Sequence, residues 1–270
     1  VPPADILRRV TLSLHEAGPA DRPTVVLLHG VGTSGWMWRR LVEAVGGDLH
    51  LLVVDLPGHG DSAARPWVSL DDTVAAVAEV IGDRAPDGRA HLVGLSLGGY
   101  VATELAARHP DLVPTALVSG VNVLPFPRPR LVRAAGRLMS PLMATTPLLR
   151  ANARALGVPP EDFDGYATAA RTMAPGTFLR VGADLVEYRV PEAAATSSSR
   201  VLAVAGEREQ ELIRRSLPIL STAFPRGAAR LVPGVGHAWN GEQPALFAEV
   251  VRAHVTDGEL PAALREPQAA

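Results

Sequence analysis

The 270-residue sequence contains no cysteine. That excludes disulfides, thiolate nucleophiles and cysteine-ligated zinc, and it leaves the redox compartment open. Lysine is also missing, so all 26 Lys+Arg positions are arginine. With 25 glycines, 24 prolines and many alanines, this absence reads as compositional bias rather than as function. Neither sign of charge dominates: the net charge is -2, which offers no basic face to nucleic acid. No apolar run approaches the ~20 residues that a membrane span requires. The start, Val1-Pro2-Pro3-Ala4-Asp5, lacks a basic region followed by an apolar run, so no signal peptide is expected. A soluble, cytoplasmic protein is the expectation, a monomer or dimer without a nucleic-acid partner. What is present is apolar material, 47% of residues, enough for one sizeable core with an insertion.

One stretch stands out, Leu92-Val93-Gly94-Leu95-Ser96-Leu97-Gly98-Gly99-Tyr100. An apolar run ends in Gly-x-Ser-x-Gly-Gly and continues as a helical pattern through His109. A serine between strand and helix, with glycines two residues away on both sides, describes a sharp turn that holds the hydroxyl outward. Nucleophilic serine chemistry needs that exposure, a base, and donors for an oxyanion.

The rest of the chain is organised to supply them. A first strand is expected over Ile6–His15. Buried strands are expected at Thr24–Leu28, Leu51–Val54, His91–Val93, Thr115–Val118, Val201–Ala205 and Ala229–Val232. Helices are expected at 38–45, 70–81, 210–224 and about 244–255, the second with Asp71 and Asp72 in its first turn. This alternation predicts a mostly parallel sheet with helices on both faces. In such sheets the site lies at the carboxyl ends of the strands. Residues 125–199 break the pattern: nine prolines punctuate apolar residues at helical spacing. We read 1–124 and 200–270 as a core and 125–199 as a helical insertion. Ala193–Ser199 reads as a polar hinge, and 258–270 as a loosely held tail.

His237 ends a glycine-rich loop after a core strand and is the expected base for Ser96. His29, His59 and His91 are rivals near the same rim or in the sheet. An acid to orient the base is expected at Glu209 or Glu207, after the strand ending at Gly206. The chain order Ser, acid, His is that of enzymes with this serine turn. The oxyanion donors are expected to be the backbone amides of Leu97, at a helix N-terminus, and of Val31, where Gly30 and Gly32 let the backbone approach a substrate.

With these residues in view, the chain resembles the α/β-hydrolase superfamily. The likeness rests on His29-Gly30, Asp55-Leu56-Pro57-Gly58-His59-Gly60-Asp61-Ser62, Gly94–Gly99, Gly206–Glu209 and Gly234–His237. It covers roughly residues 20–124 and 200–256. The resemblance implies an α/β-hydrolase fold with a helical cap over 125–199. It also implies Ser96 as nucleophile, His237 as base, and Val31 and Leu97 as the oxyanion hole. The family's acid falls at Glu209, where aspartate is more usual; Glu207 is the fallback. Serine at position 96 argues against the dehalogenase and epoxide hydrolase branches and towards esterases, lactonases, thioesterases and carbon–carbon hydrolases. No metal or organic cofactor is implied.

Gly30, Trp36, Phe126, Met143 and Trp239 are expected to line a substrate pocket. Met139, Phe163, Tyr166, Met173 and Phe178 are further apolar or aromatic candidates. The expected substrate is a small to medium apolar ester, lactone or thioester. Two alternatives stay open at this point: a lyase, cyclase or cofactor-free oxygen reaction on the same fold, and a receptor-like protein that uses the site for binding.

Overall fold

The computed structural model describes residues 12–139 and 144–267. Its strands are β1 (Leu14–Ala17), β2 (Thr24–Leu28), β3 (His50–Val54), β4 (His91–Leu95), β5 (Thr115–Ser119), β6 (Arg200–Gly206) and β7 (Arg226–Val232). They form one sheet in the order β1-β3-β2-β4-β5-β6-β7. β1 pairs antiparallel with β3, and every other neighbouring pair is parallel. The part of the expected first strand before residue 12 lies outside the described residues.

The unbroken apolar runs follow from burial on both faces. In β2, Val26 and Leu28 enter one core cluster, while Val25 and Leu27 enter the other. Helix α1 (Arg39–Val45) and helix α9 (Pro244–Thr256) contribute to the second cluster through Leu41, Val45, Phe247 and Val251. Helices α2 (Leu70–Arg84), α3 (Leu97–Arg108) and α8 (Glu211–Ala223) contribute to the first through Val77, Leu105 and Leu217. Each such side chain adds about 1.5–3 kcal/mol by leaving water. Strands that feed helices on alternate faces bring the loops after β2, β3, β4, β6 and β7 to one edge.

Between β5 and β6 the described residues form helices α4 (Pro129–Met139), α5 (Thr146–Leu156), α6 (Phe163–Thr172) and α7 (Thr177–Leu185), with no strand among them. Arg39 and Arg40 of α1 both reach Asp162, just before α6; Arg40 does so with a 2.8 Å bond from Nη1. Asp162 is 5% exposed, so this ion pair is shielded from water on the acidic side.

Two expectations change. Ala193–Ser199 is not a polar hinge: Glu192–Thr196 is a short 3-10 turn, and Ser197 and Ser199 are buried. Ser197 Oγ–H donates to Ala106 O at 2.5 Å, and the Ser199 hydroxyl lies between Val113 O at 2.6 Å and Ala106 O at 3.0 Å. Ala106 lies in the last turn of α3, where carbonyls lack helical partners, so polar side chains are what that position requires. Nor is the tail loose throughout. Leu264 is buried, and Arg265 exchanges two backbone hydrogen bonds with Leu231 of β7, at 2.7 and 2.9 Å. β7 is an edge strand, and the returning chain covers it.

Candidate active site

Ser96 occupies the turn between β4 and α3 with φ 54° and ψ -115°. Such a backbone costs about 1–3 kcal/mol and persists only when its surroundings hold it. Here they do. Ser96 N–H donates to Ser119 O at 2.8 Å, Gly99 N–H to Ser96 O at 2.8 Å, and Gly98 N–H to His29 O at 2.9 Å. A Cβ on Gly98 would collide with the Leu28 carbonyl, so glycine is what lets α3 start against β2.

His237 follows β7, and Glu209 follows β6. The His237 Nδ1 and Glu209 Oε1 atoms are 2.6 Å apart. The Glu209 side chain is 3% exposed and the His237 side chain 13%. Arg208 N–H donates to Val235 O at 2.8 Å, which ties the two loops together beside the pair. Glu207 turns elsewhere: its Oε2 accepts the Gly234 N–H at 2.9 Å, and its Oε1 lies 3.7 Å from Arg265. Of the two candidate acids, the structure brings Glu209 to the imidazole and leaves Glu207 as a brace for the loop.

Ser96 and His237 share the wall of a cavity of about 480 Å³. Gly30 and Val31 line it too, and a Cβ on Gly30 would lie 3.4 Å from Ser96 Cβ. The Gly30-Val31 backbone therefore runs directly against the serine. Leu97 is the first residue of α3. Its amide has no carbonyl four residues back within the helix and sits at the positive end of the helix dipole. Leu149, Leu156 and Phe178, from the helices between β5 and β6, close the apolar side.

The glycine-rich loop after β2 is held from outside. The Asp55 carboxylate accepts the Gly35 and Asp61 amides at 2.7 and 2.8 Å. His29 is fully buried, and its Nε2 accepts the Leu56 N–H at 3.0 Å. The proton is therefore on Nδ1, which donates to Gly30 O at 2.8 Å. Burial pushes its pKa down to about 4. Burial likewise pushes His59 to about 3, with His29 beside it, and His91 to about 4. The three rival histidines are thus neutral near pH 7. His59 Nδ1 and His91 Nδ1 are within hydrogen-bonding distance of Pro57 O and Thr115 Oγ1.

The expected pocket residues divide. Gly30 lines the cavity. Trp36, Phe126 and Trp239 are not among its lining residues. Trp36 packs against Gly165 of α6, with the Arg39 guanidinium 5.0 Å from its ring. Trp239 lies in the core: it is fully buried, packs against Phe247 with ring centroids 4.4 Å apart and planes tilted by 55°, and donates its Nε1–H to Ser119 Oγ at 2.8 Å. Phe126 is half-buried before α4. Met143 lies outside the described residues. Tyr166, Met173 and Phe178 do line the cavity, as do Met37 and Asn152, which sequence reasoning did not single out. A lone asparagine in a helix gives no signal before the fold brings a partner to it.

A model of the alpha/beta hydrolase family matches residues 25–250. The chain belongs to the alpha/beta hydrolase family. A superfamily protein of Gibberella zeae is 29% identical over 248 residues, 88% of this chain and 82% of that protein. A pimeloyl-[acyl-carrier protein] methyl ester esterase of Vibrio vulnificus is 40% identical over 104 residues, 38% of this chain and 39% of that protein. Among solved structures, the enol-lactonase of Burkholderia xenovorans has a TM-score of 0.73 at 22% identity, covering 91% of this chain and 96% of its own. The fold is thus that of an alpha/beta hydrolase, with relatives named as esterases and structural neighbours named as esterases and lactonases.

Proposed function

We propose that this alpha/beta hydrolase is a serine hydrolase that cleaves a small to medium apolar ester, lactone or thioester through Ser96, His237 and Glu209. The observation that carries the reading is the 2.6 Å approach of Glu209 to His237 Nδ1, with His237 in the wall of the cavity that also contains Ser96. With Nδ1–H donated to the carboxylate, Nε2 carries the free lone pair. Nε2 takes the Ser96 proton as Oγ bonds to the substrate carbonyl carbon. The carbonyl oxygen becomes an oxyanion and accepts the Val31 and Leu97 amides. The imidazolium returns its proton to the leaving oxygen or sulfur as that bond breaks, and an acyl-Ser96 remains. Water, deprotonated by Nε2, releases the acid and restores the serine.

The apolar cavity wall supports an apolar acyl or alcohol group, and the relatives' names support an ester or lactone bond. Apart from that water, every step uses groups of the chain itself. The test is labelling with a fluorophosphonate probe, together with turnover of short-chain esters. Wild type is labelled at Ser96 and active; Ser96→Ala is unlabelled and loses turnover by several orders of magnitude. Full activity in Ser96→Ala would overturn the mechanism.

A further inference from the structure

The cavity contains more polar groups than ester cleavage uses. Beyond Ser96 and His237, the polar side chains in its wall are Thr33, Asn152, Tyr166 and Arg171. Two of them are engaged. Thr33 donates its hydroxyl proton to Gly30 O at 2.8 Å. Arg171 donates to Thr146 Oγ1 at 2.8 Å and to Ala144 O at 3.3 Å.

Asn152 and Tyr166 are different. They stand on α5 and α6 and meet inside the cavity wall, where Asn152 Nδ2–H donates to the Tyr166 hydroxyl oxygen at 2.6 Å. That bond occupies the acceptor side of the phenol. Among the described residues, no acceptor takes the Tyr166 O–H proton. Tyr166 is 4% exposed, and burial raises its pKa, so the proton stays on. Because Tyr166 stands in the cavity wall, that proton is left for whatever occupies the cavity, water or a substrate oxygen. The Asn152 bond also polarises the phenol and strengthens it as a donor.

We propose that Tyr166, oriented by Asn152, is a second polar subsite of the cavity, which binds a hydrogen-bond-accepting oxygen of the substrate remote from the bond that is cleaved. The substrate class narrows accordingly. It is an apolar ester, lactone or thioester with a further carbonyl, ether or hydroxyl oxygen on its chain, not a plain hydrocarbon ester. The inference rests on the hydrolytic reading above and adds a selectivity to it. Tyr166 acts here by binding the substrate, and Asn152 is a positioning residue that acts through it.

The test compares methyl octanoate with its 3-oxo, 5-oxo and 7-oxo analogues in the wild type, Tyr166→Phe and Asn152→Ala. Acid release gives kcat and KM separately. Wild type prefers at least one oxo ester over methyl octanoate. Tyr166→Phe abolishes that preference: the ratio of kcat/KM for the favoured oxo ester to that for methyl octanoate falls about tenfold, one hydrogen bond's worth in an apolar site. Asn152→Ala keeps the hydroxyl but frees its orientation and gives a smaller loss on the same ester, carried mainly by KM. Asn152 is half-buried, so this variant keeps a readout if Tyr166→Phe unfolds. Equal losses on plain and oxo esters, or no loss on any oxo ester, would overturn the subsite. Ser96→Ala is the separate control: if it turns over methyl octanoate, the hydrolytic reading fails whatever Tyr166→Phe does.

Discussion

His237 and Glu209 stand 28 positions apart, on loops after different strands, yet the imidazole Nδ1 lies 2.6 Å from the carboxylate. Glu207, two residues from Glu209, bonds the Gly234 amide instead. The two acids should therefore separate kinetically. Glu209→Gln should lower kcat by roughly 10²–10⁴, because an amide can neither stabilise the imidazolium nor enforce the tautomer. Glu207→Gln should remain within about twofold in kcat, since it removes only a loop brace. Ester hydrolysis by the purified variants checks both, and a larger loss in Glu207→Gln would reverse the assignment.

Gly120 tests how tightly the imidazole is held. Its φ is +67°, and a Cβ there would lie 2.6 Å from His237 Cε1 and 2.9 Å from Nδ1. Alanine must either displace the ring or strain the backbone. We expect Gly120→Ala to lose about 10–100-fold in kcat, the scale of a small misplacement of a reacting group. Steady-state kinetics alongside a thermal melt will tell; wild-type kcat in the folded variant would mean that the ring has slack.

Trp239 separates core from pocket. Its Nε1–H donates to Ser119 Oγ at 2.8 Å, and its ring is fully buried. Trp239→Phe should cost about 1 kcal/mol or more of stability and leave KM for short esters unchanged. A raised KM with an unchanged unfolding midpoint would return the ring to the cavity wall.

The buried histidines predict acid lability. Burial depresses His29 to about 4, and His59 and His254 to about 3. The sign follows from the unfolded value of about 6.5. Above it the imidazoles are neutral in both states. Below it the unfolded chain binds protons that the folded chain refuses. Stability is therefore complete above pH ~6.5 and falls as pH drops towards 3–4, by about 1.4 kcal/mol per pH unit for each site. Denaturant melts at pH 7 and pH 5 should differ by several kcal/mol. In His254→Gln the difference should shrink, and a flat profile in the wild type would contradict the neutral assignments.

Much of the architecture was legible because burial on both faces forces continuous apolar runs. Thr24–Leu28 had the β-branched and aliphatic run expected of a strand buried on both faces, and Gly94–Gly99 announced its turn through glycines that permit close packing. The approach of Glu209 to His237 was not legible from spacing alone, which allowed Glu207 equally. The tryptophans were misjudged for a related reason. An aromatic residue in a rim loop can turn to the cavity or to the layer behind it, and sequence carries no sign of which. Trp239 turned inward because Ser119 accepts its indole N–H. Ser197 and Ser199 looked like a hinge because polarity reads as exposure, until the unsatisfied end of α3 gave them partners.

The clasp of Arg39 and Arg40 on Asp162 bears on redesign. Both arginines belong to a helix packed on the sheet, whereas the carboxylate arrives with the segment between β5 and β6. Anyone replacing residues 125–199 with a foreign segment would remove the acid that both guanidinium groups bind. The transplant must bring its own carboxylate to that corner, or the recipient must give up the arginines at the same time.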